Sequence, residues 1–382
     1  MTIATPLSVA GRFIVDASGR RVRLAGVNWS GAHQDLGVAA GLEIVDRREI
    51  AETIAGLGFN SVRFPFSVWM TEQTAPVPKQ YIAANPDLYG STPMEVYDAC
   101  VAALTDAGLI VIPNCHMLYG GWCCSEDDNN GLWFNDNWPA ERFMTAWKSI
   151  ATRYAANPLV AAMDIANEPR RATVGGKRVS PLWGSGSETD FALMYTTVGN
   201  LIHEIDPDPL IICEGLNYAA DLSGVARNPV RLDRAGKAMY SLHDYPWFHP
   251  AHQGRESFFR QMHSAGGYIL ANQIAPLWVG EFGNDMRSSA NFGLEPSSGD
   301  AGGWWNNFHA WLTDSDADWC WWPINGTHTK GTTPVTNQIQ HSWGDREVYG
   351  ILAEDWTTIA NPAVLEVLQS LIHPRTGPGI GC

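Results

Sequence analysis

The chain is predicted to fold as a single α/β domain, a (β/α)8 barrel over residues 1–382, and three observations lead there. Short apolar, β-branched runs alternate with longer amphipathic stretches, the pattern of repeated strand–helix units around a parallel sheet. The runs number eight. A length of 382 residues, 45% of them apolar, suits one large core of that kind.

In chain order, residues 11–20 resemble a small hairpin that closes the barrel's bottom. The first strand is expected at 22–28 and is followed by a helix at 47–57. Strands at 61–65 and 109–114 precede helices at 93–107 and 140–155. The fourth strand, 160–166, leads to a helix at 189–205, and the fifth is expected at 210–214. The sixth, 238–243, precedes a helix at 255–271; the seventh, 277–281, precedes one at 304–313. An eighth strand at 319–323 and a last helix at 362–371 complete the set. Four strand-to-helix connections, 117–139, 170–188, 282–303 and 324–347, are long and rich in polar or aromatic residues. They share the face at which barrel active sites sit.

Composition excludes several classes of function. The net charge of −15 repels phosphate backbones and anionic headgroups, so neither nucleic acid nor membrane insertion is expected, and a neutral substrate fits better. No basic stretch followed by an apolar segment marks a signal peptide, and no 18-residue apolar run is present. A cytoplasmic protein and an exported one whose leader has been removed both fit. Seventeen Trp exceed what a core readily absorbs, since a buried indole N–H wants a partner; some are expected to offer flat faces to sugar rings, and at least half to pack inside. Of seven Cys, Cys100, Cys115, Cys213 and Cys320 sit in apolar runs and read as buried thiols. Cys123 and Cys124 are adjacent in a polar loop; a vicinal disulfide and bonding elsewhere are both open. Glu126, Asp127 and Asp128 lack the alternation of a calcium loop and read as a solvated acidic face. No His-x-His or His-Glu-x-x-His occurs, so no metal and no cofactor is expected.

The strand ends carry the chemistry. Arg63 is read at the end of the second, His116 of the third, Asn167-Glu168-Pro169 of the fourth, His243-Asp244-Tyr245 of the sixth and Glu281 of the seventh. Trp321-Trp322 ends the eighth, and alternation lets only one face the cavity, with Trp322 favoured. Two carboxyls thus arrive from strands four and seven. Glycoside hydrolysis with retention needs such a pair about 5–5.5 Å apart, one protonated to release the leaving oxygen and one ionised to attack. Arg63 beside Glu281 would keep that carboxylate ionised, leaving Glu168 as proton donor.

The strings VAAMDIANEPR, SLHDYPW and PLWVGEFGN resemble glycoside hydrolase family 5, the cellulase-type family of clan A. The resemblance runs from GVNW near Asn28 to YGILAEDW ending at Trp356. It implies Glu168 as acid/base and Glu281 as nucleophile. It further implies Asn167 on the 2-hydroxyl of the cleaved sugar, His116 against that sugar and Trp322 stacked beneath it. Tyr245 would steady the nucleophile, with Arg63 and His243 completing the surround. The implied activity is an endo-β-1,4-glucanase acting on a β-linked oligo- or polysaccharide; a monomer is expected separately. The loop GGWCCSEDDNNGLW departs from the bacterial endoglucanases of the family and resembles a plant and microbial branch. Two alternatives stand beside this: an exo-acting β-glycosidase on small glycosides or glycolipids, and a sugar-binding barrel without turnover. Of the loop tryptophans, Trp122, Trp133, Trp138, Trp183 and Trp247 are each balanced between loop packing and a sugar platform.

Overall fold

A computed structural model describes residues 3–295, 301–333 and 335–380. The eight apolar runs form strands β1 (Ala25–Asn28), β2 (Ser61–Ser67), β3 (Ile110–Met117) and β4 (Ala162–Asp164). They continue as β5 (Leu210–Glu214), β6 (Ala238–Asp244), β7 (Leu277–Phe282) and β8 (Asp318–Trp321). Each pairs in parallel with the next, and β8 pairs with β1, so the sheet closes into a barrel without an edge. Every residue of β2, β3, β5 and β7 is buried, as expected of strands covered on both faces.

The longer helices are α1 (Arg47–Gly56), α2 (Pro93–Asp106), α3 (Ala140–Tyr154), α4 (Phe191–His203), α5 (Arg255–Met262), α6 (Ala301–Ser315) and α7 (Pro362–Gln369). Local chemistry sets their starts. Thr92 and Glu95 form a reciprocal capping box ahead of α2, with Pro93 in its first turn. Asp190 accepts from the N–H groups of Ala192 and Leu193, so α4 begins at Phe191 and not at 189. The helix expected at 255–271 is interrupted by a wide turn, His263–Gly267, where a Cβ on Gly266 would lie 2.8 Å from Leu242 Cδ1. Helix and barrel approach too closely there for a side chain.

The hairpin at the barrel's bottom pairs Ser8–Ala10 with Phe13–Val15, so it lies N-terminal to the expected 11–20. Leu7 and Ile14 close a cluster with Leu24, Ile110, Ile212 and Trp278. Arg63 proves to be the third residue of β2, and the ladder runs four residues past it. It still faces the site because the register sets it opposite Asn28. The β4 ladder ends at Asp164, ahead of Asn167 and Glu168; Asn167 N–H continues the pairing irregularly, to Cys115 O at 3.0 Å. The long loops carry structure of their own, with hairpins Ala172–Val174/Lys177–Val179 and Gly331–Thr333/Gln338–His341. Part of the predicted loop 282–303, residues 296–300, lies outside the described residues. Nine of the seventeen Trp are buried, so most of the excess is core. No helix among the described residues is long and apolar enough to cross a membrane.

Candidate active site

Arg63 is the hub beneath the cavity. It is fully buried and every N–H of its guanidinium has a partner. Nε donates to Asp164 Oδ2 at 2.7 Å, Nη1 to Asn28 Oδ1 at 3.0 Å and to Glu281 Oε1. Nη2 donates to Asn167 Oδ1 at 2.7 Å and to Glu214 Oε1 at 2.9 Å. Burial works against its charge, yet Asp164, Glu281 and Glu214 outweigh that and raise its pKa. One cation cannot balance three buried carboxylates, so a proton must be held among them. Burial first, then the charge of Asp164, lift the Glu214 carboxyl well above the ordinary range.

Glu281 accepts from two directions: Arg63 on Oε1, and the Tyr245 hydroxyl on Oε2 at 3.1 Å. Burial raises its pKa, while His243 and Arg63 act in the opposite direction. Both hydrogen bonds favour the carboxylate. Among the described residues no Lys or Arg is paired with the Glu168 carboxyl. Burial lifts it from 4.5 to about 7, with Arg170 and Arg63 opposing, and its Oε1 meets His243 Nδ1 at 2.9 Å. Burial also lowers His243 to about 4, so that ring is neutral at neutral pH. An oxygen of Glu168, one of Glu281 and a ring nitrogen of His243 all lie within 4.8 Å of one another. The two carboxyls thus face each other in different chemical surroundings.

The backbone at Glu168 is held as firmly as the side chain. Its φ is 47°, a left-handed conformation rare for a residue with a Cβ. Glu214 Oε2 takes the Glu168 N–H at 2.7 Å, and Arg170 Nη1 donates to the Glu168 carbonyl at 2.8 Å. Arg170 is itself paired with the buried Asp128 at 2.5 Å. This corrects the reading of residues 126–128 as one solvated face: Glu126 and Asp127 are exposed and meet Arg178, but Asp128 is fully buried. A loop folded over a buried arginine needs an internal anion.

Asn167, Glu168, Tyr245, Glu281, His116 and Trp322 line one cavity of about 530 Å3, while Arg63 and His243 lie beneath them. His116 Nδ1 pairs with Asn114 Oδ1 at 2.8 Å, and Asn114 Nδ2 donates to Asp164, a chain that ends on Arg63. That oxygen only accepts, so Nδ1 carries the proton and Nε2 is left to accept. Burial keeps the ring neutral. Trp322 stacks on His116 at 5.5 Å and 13°, whereas Trp321 is turned outward among Phe282, Phe292 and Trp305. Among the loop tryptophans, Trp122 and Trp247 line the cavity. Trp133 packs on Phe191, Trp138 lies under Arg142 and Trp183 binds Asn228 O.

Several partners escape a sequence reading: Asn28 meets Arg63 from the neighbouring strand, Asp164 and Glu214 reach Arg63 from β4 and β5, and Asn114 links His116, two residues on, to Asp164. Asn28 and Glu214 stand at the ends of β1 and β5, so reading all eight strand ends would have found them. Cys123 and Cys124 are bonded to each other and also line the cavity, whereas Cys100, Cys115, Cys213 and Cys320 are buried free thiols.

Known proteins share this architecture. The chain is 29% identical over 401 residues to a glycosyl hydrolase 5 family protein of Chamaecyparis obtusa, covering 98% of this chain and 67% of that protein. It is 28% identical to an endoglucanase of Paenibacillus polymyxa, covering 92% and 83% of the two chains. Among solved structures, an endocellulase of Pyrococcus horikoshii in complex with cellotetraose superposes with a TM-score of 0.77 at 23% identity, over 97% of this chain and 100% of that one. The catalytic domain of the major endoglucanase from Xanthomonas campestris pv. campestris gives 0.77 at 22% identity, over 96% and 99%. The family model described as cellulase, glycosyl hydrolase family 5, matches residues 15–328, and the chain belongs to that family.

Proposed function

We propose that the protein is a retaining endo-β-1,4-glucanase in which Glu168 is the acid/base and Glu281 the nucleophile. The observation that carries this is the pair of facing carboxyls, with oxygens within 4.8 Å. One oxygen of each within that distance favours the close pair of a retaining enzyme, whose carboxyl groups stand about 5–5.5 Å apart, over the roughly 6.5–9.5 Å of an inverting one. The endoglucanase and endocellulase names of its relatives support a β-1,4-glucan substrate.

In the first step a Glu281 oxygen bonds to the anomeric carbon as the glycosidic C–O bond breaks. The Glu168 proton goes to the departing oxygen, and a glycosyl ester on Glu281 remains. In the second step water attacks the same carbon, Glu168 takes its proton, and the ester bond returns its electron pair to Glu281. Two displacements restore the β configuration. The Tyr245 hydroxyl on Oε2 and the Arg63 guanidinium on Oε1 hold the nucleophile for in-line attack. Asn167 donates to the 2-hydroxyl of the reacting sugar, His116 Nε2 accepts from that sugar, and Trp322 stacks beneath it. These fixed polar groups favour an oxocarbenium-like transition state.

The test is proton NMR of an aryl β-cellobioside during the first minutes of hydrolysis. A β-anomer forming first is the expected result; an initial α-anomer means inversion and overturns the mechanism.

A further inference from the structure

The loop after β3 brings Trp122, Cys123 and Cys124 to the cavity wall, and the two cysteines are bonded to each other. A crosslink stabilises chiefly by shortening the chain it closes, so one between neighbouring residues does very little of this. The loop is secured by other means. Arg170 pairs with Asp128, its Nε donates to Ser125 O at 3.2 Å, and Trp122 N–H donates to Thr332 O at 3.0 Å. Stapling gives no account of the disulfide.

Its position does. Asn167 Nδ2 lies 3.4 Å from Cys123 Sγ and 3.6 Å from Cys124 Sγ. On the other side, Asn167 Oδ1 takes Arg63 Nη2 at 2.7 Å. A guanidinium only donates, so the amide can stand in one orientation, oxygen inward and NH2 toward the sulfurs. Sulfur is a weak acceptor, and it props the amide without capturing its hydrogens as a carboxylate would. The two bonded sulfurs lie side by side, so one N–H can serve both and the other can turn to a ligand. Of the two cysteines, Cys124 is the more exposed to the cavity.

We propose that the Cys123–Cys124 disulfide is a positioning element of the sugar site, holding the Asn167 amide against the 2-hydroxyl of the reacting sugar and walling that ring with sulfur. This rests on the glycosidase reading above. It acts through Asn167, and its signature is therefore specific to the 2-hydroxyl.

The experiment compares wild type, Cys123→Ala/Cys124→Ala, Asn167→Ala and the triple variant. The substrates are an aryl β-cellobioside and its analogue lacking the 2-hydroxyl on the reacting ring. The cysteine variant is expected to lose about tenfold in kcat/KM on the full substrate and less than about threefold on the analogue. In the Asn167→Ala background the same replacement is expected to cost less than about twofold. No loss, or equal loss on both substrates or in both backgrounds, overturns the proposal while leaving the glycosidase reading intact. A harmless Asn167→Ala removes the role of Asn167 and the proposal with it; a wild type that turns over neither substrate overturns both readings.

Should the cysteine variant not fold, the unvaried protein decides. A trialkyl phosphine passes two electrons to the disulfide, which gains two protons and becomes two thiols, as water oxygen converts the phosphine to its oxide. Two new thiols by alkylation, with an unchanged melting temperature, should bring the same 2-hydroxyl-specific loss, reversed on reoxidation. Two new thiols with unaltered kinetics overturn the proposal.

Discussion

Glu168 holds a carboxyl where an ionised one is least welcome. Burial sets its pKa at about 7 against an ordinary 4.5, and it sits on a left-handed backbone pinned by Glu214 and Arg170. The stability consequence has a definite sign. Below pH 4.5 the group is protonated folded or unfolded and contributes no pH dependence. Between 4.5 and 7 the unfolded chain ionises while the folded one keeps its proton, so stability falls as pH rises. Above 7 the loss is complete, roughly 3 kcal/mol for a shift of that size. Glu168→Gln cannot ionise. Its denaturation midpoint should therefore fall less than that of wild type between pH 4 and pH 8, with the variant gaining roughly 3 kcal/mol over that range. Parallel pH profiles for the two proteins would sink this account. The proposed mechanism has the matching dependence: its first step needs Glu168 protonated, so kcat/KM should fall as pH rises through about 7.

At the scale of the element, each barrel strand delivers its site residue by register, and this much was legible. The strands announce themselves as apolar runs, and glutamates that no buried strand needs for packing follow β4 by four residues and close β7. What sequence could not supply, beyond Arg63 and Tyr245 at Glu281, is the partnership across the barrel. Arg63, in β2, meets Asn28 from β1, Asp164 from β4 and Glu214 from β5, residues as far as 151 positions away. Loops were less legible still, because their anchors are pairwise. Asp128 looks no different from Asp127 in the sequence, yet it accepts from Arg170, Ser125 N–H and Asn130 N–H in a buried setting. Asp128→Asn leaves the Arg170 charge buried without its counter-ion and should cost about 3–5 kcal/mol in chemical denaturation. Asp127→Asn, at an exposed pair with Arg178, should leave the midpoint where it was. Equal effects of the two substitutions would place Asp128 back on a solvated face.

The whole molecule decides how much of a glucan chain the site can hold. Two long loops meet on one side: Trp122 packs edge-on against His341 at 4.3 Å, and His341 lies parallel to His328 at 3.8 Å. A second aromatic surface comes from the loop after β6, where Trp247 is 62% exposed and stacks on Tyr245 at 4.4 Å. Since the Tyr245 hydroxyl bonds Glu281, that surface adjoins the proposed nucleophile. Stacking faces on separate loops, all lining one cavity with the two glutamates, suit a chain bound beyond a single terminal sugar. An exo enzyme needs only the one sugar enclosed. Reduced cellohexaose should accordingly yield fragments of two to four residues from the first minutes. Trp247→Ala should raise KM for the hexaose about tenfold while changing KM for an aryl β-glucoside much less, because a short substrate never reaches the outer surface. Stepwise release of single glucose units, with Trp247→Ala affecting both substrates alike, would instead make the joined loops the end wall of a pocket and the enzyme exo-acting.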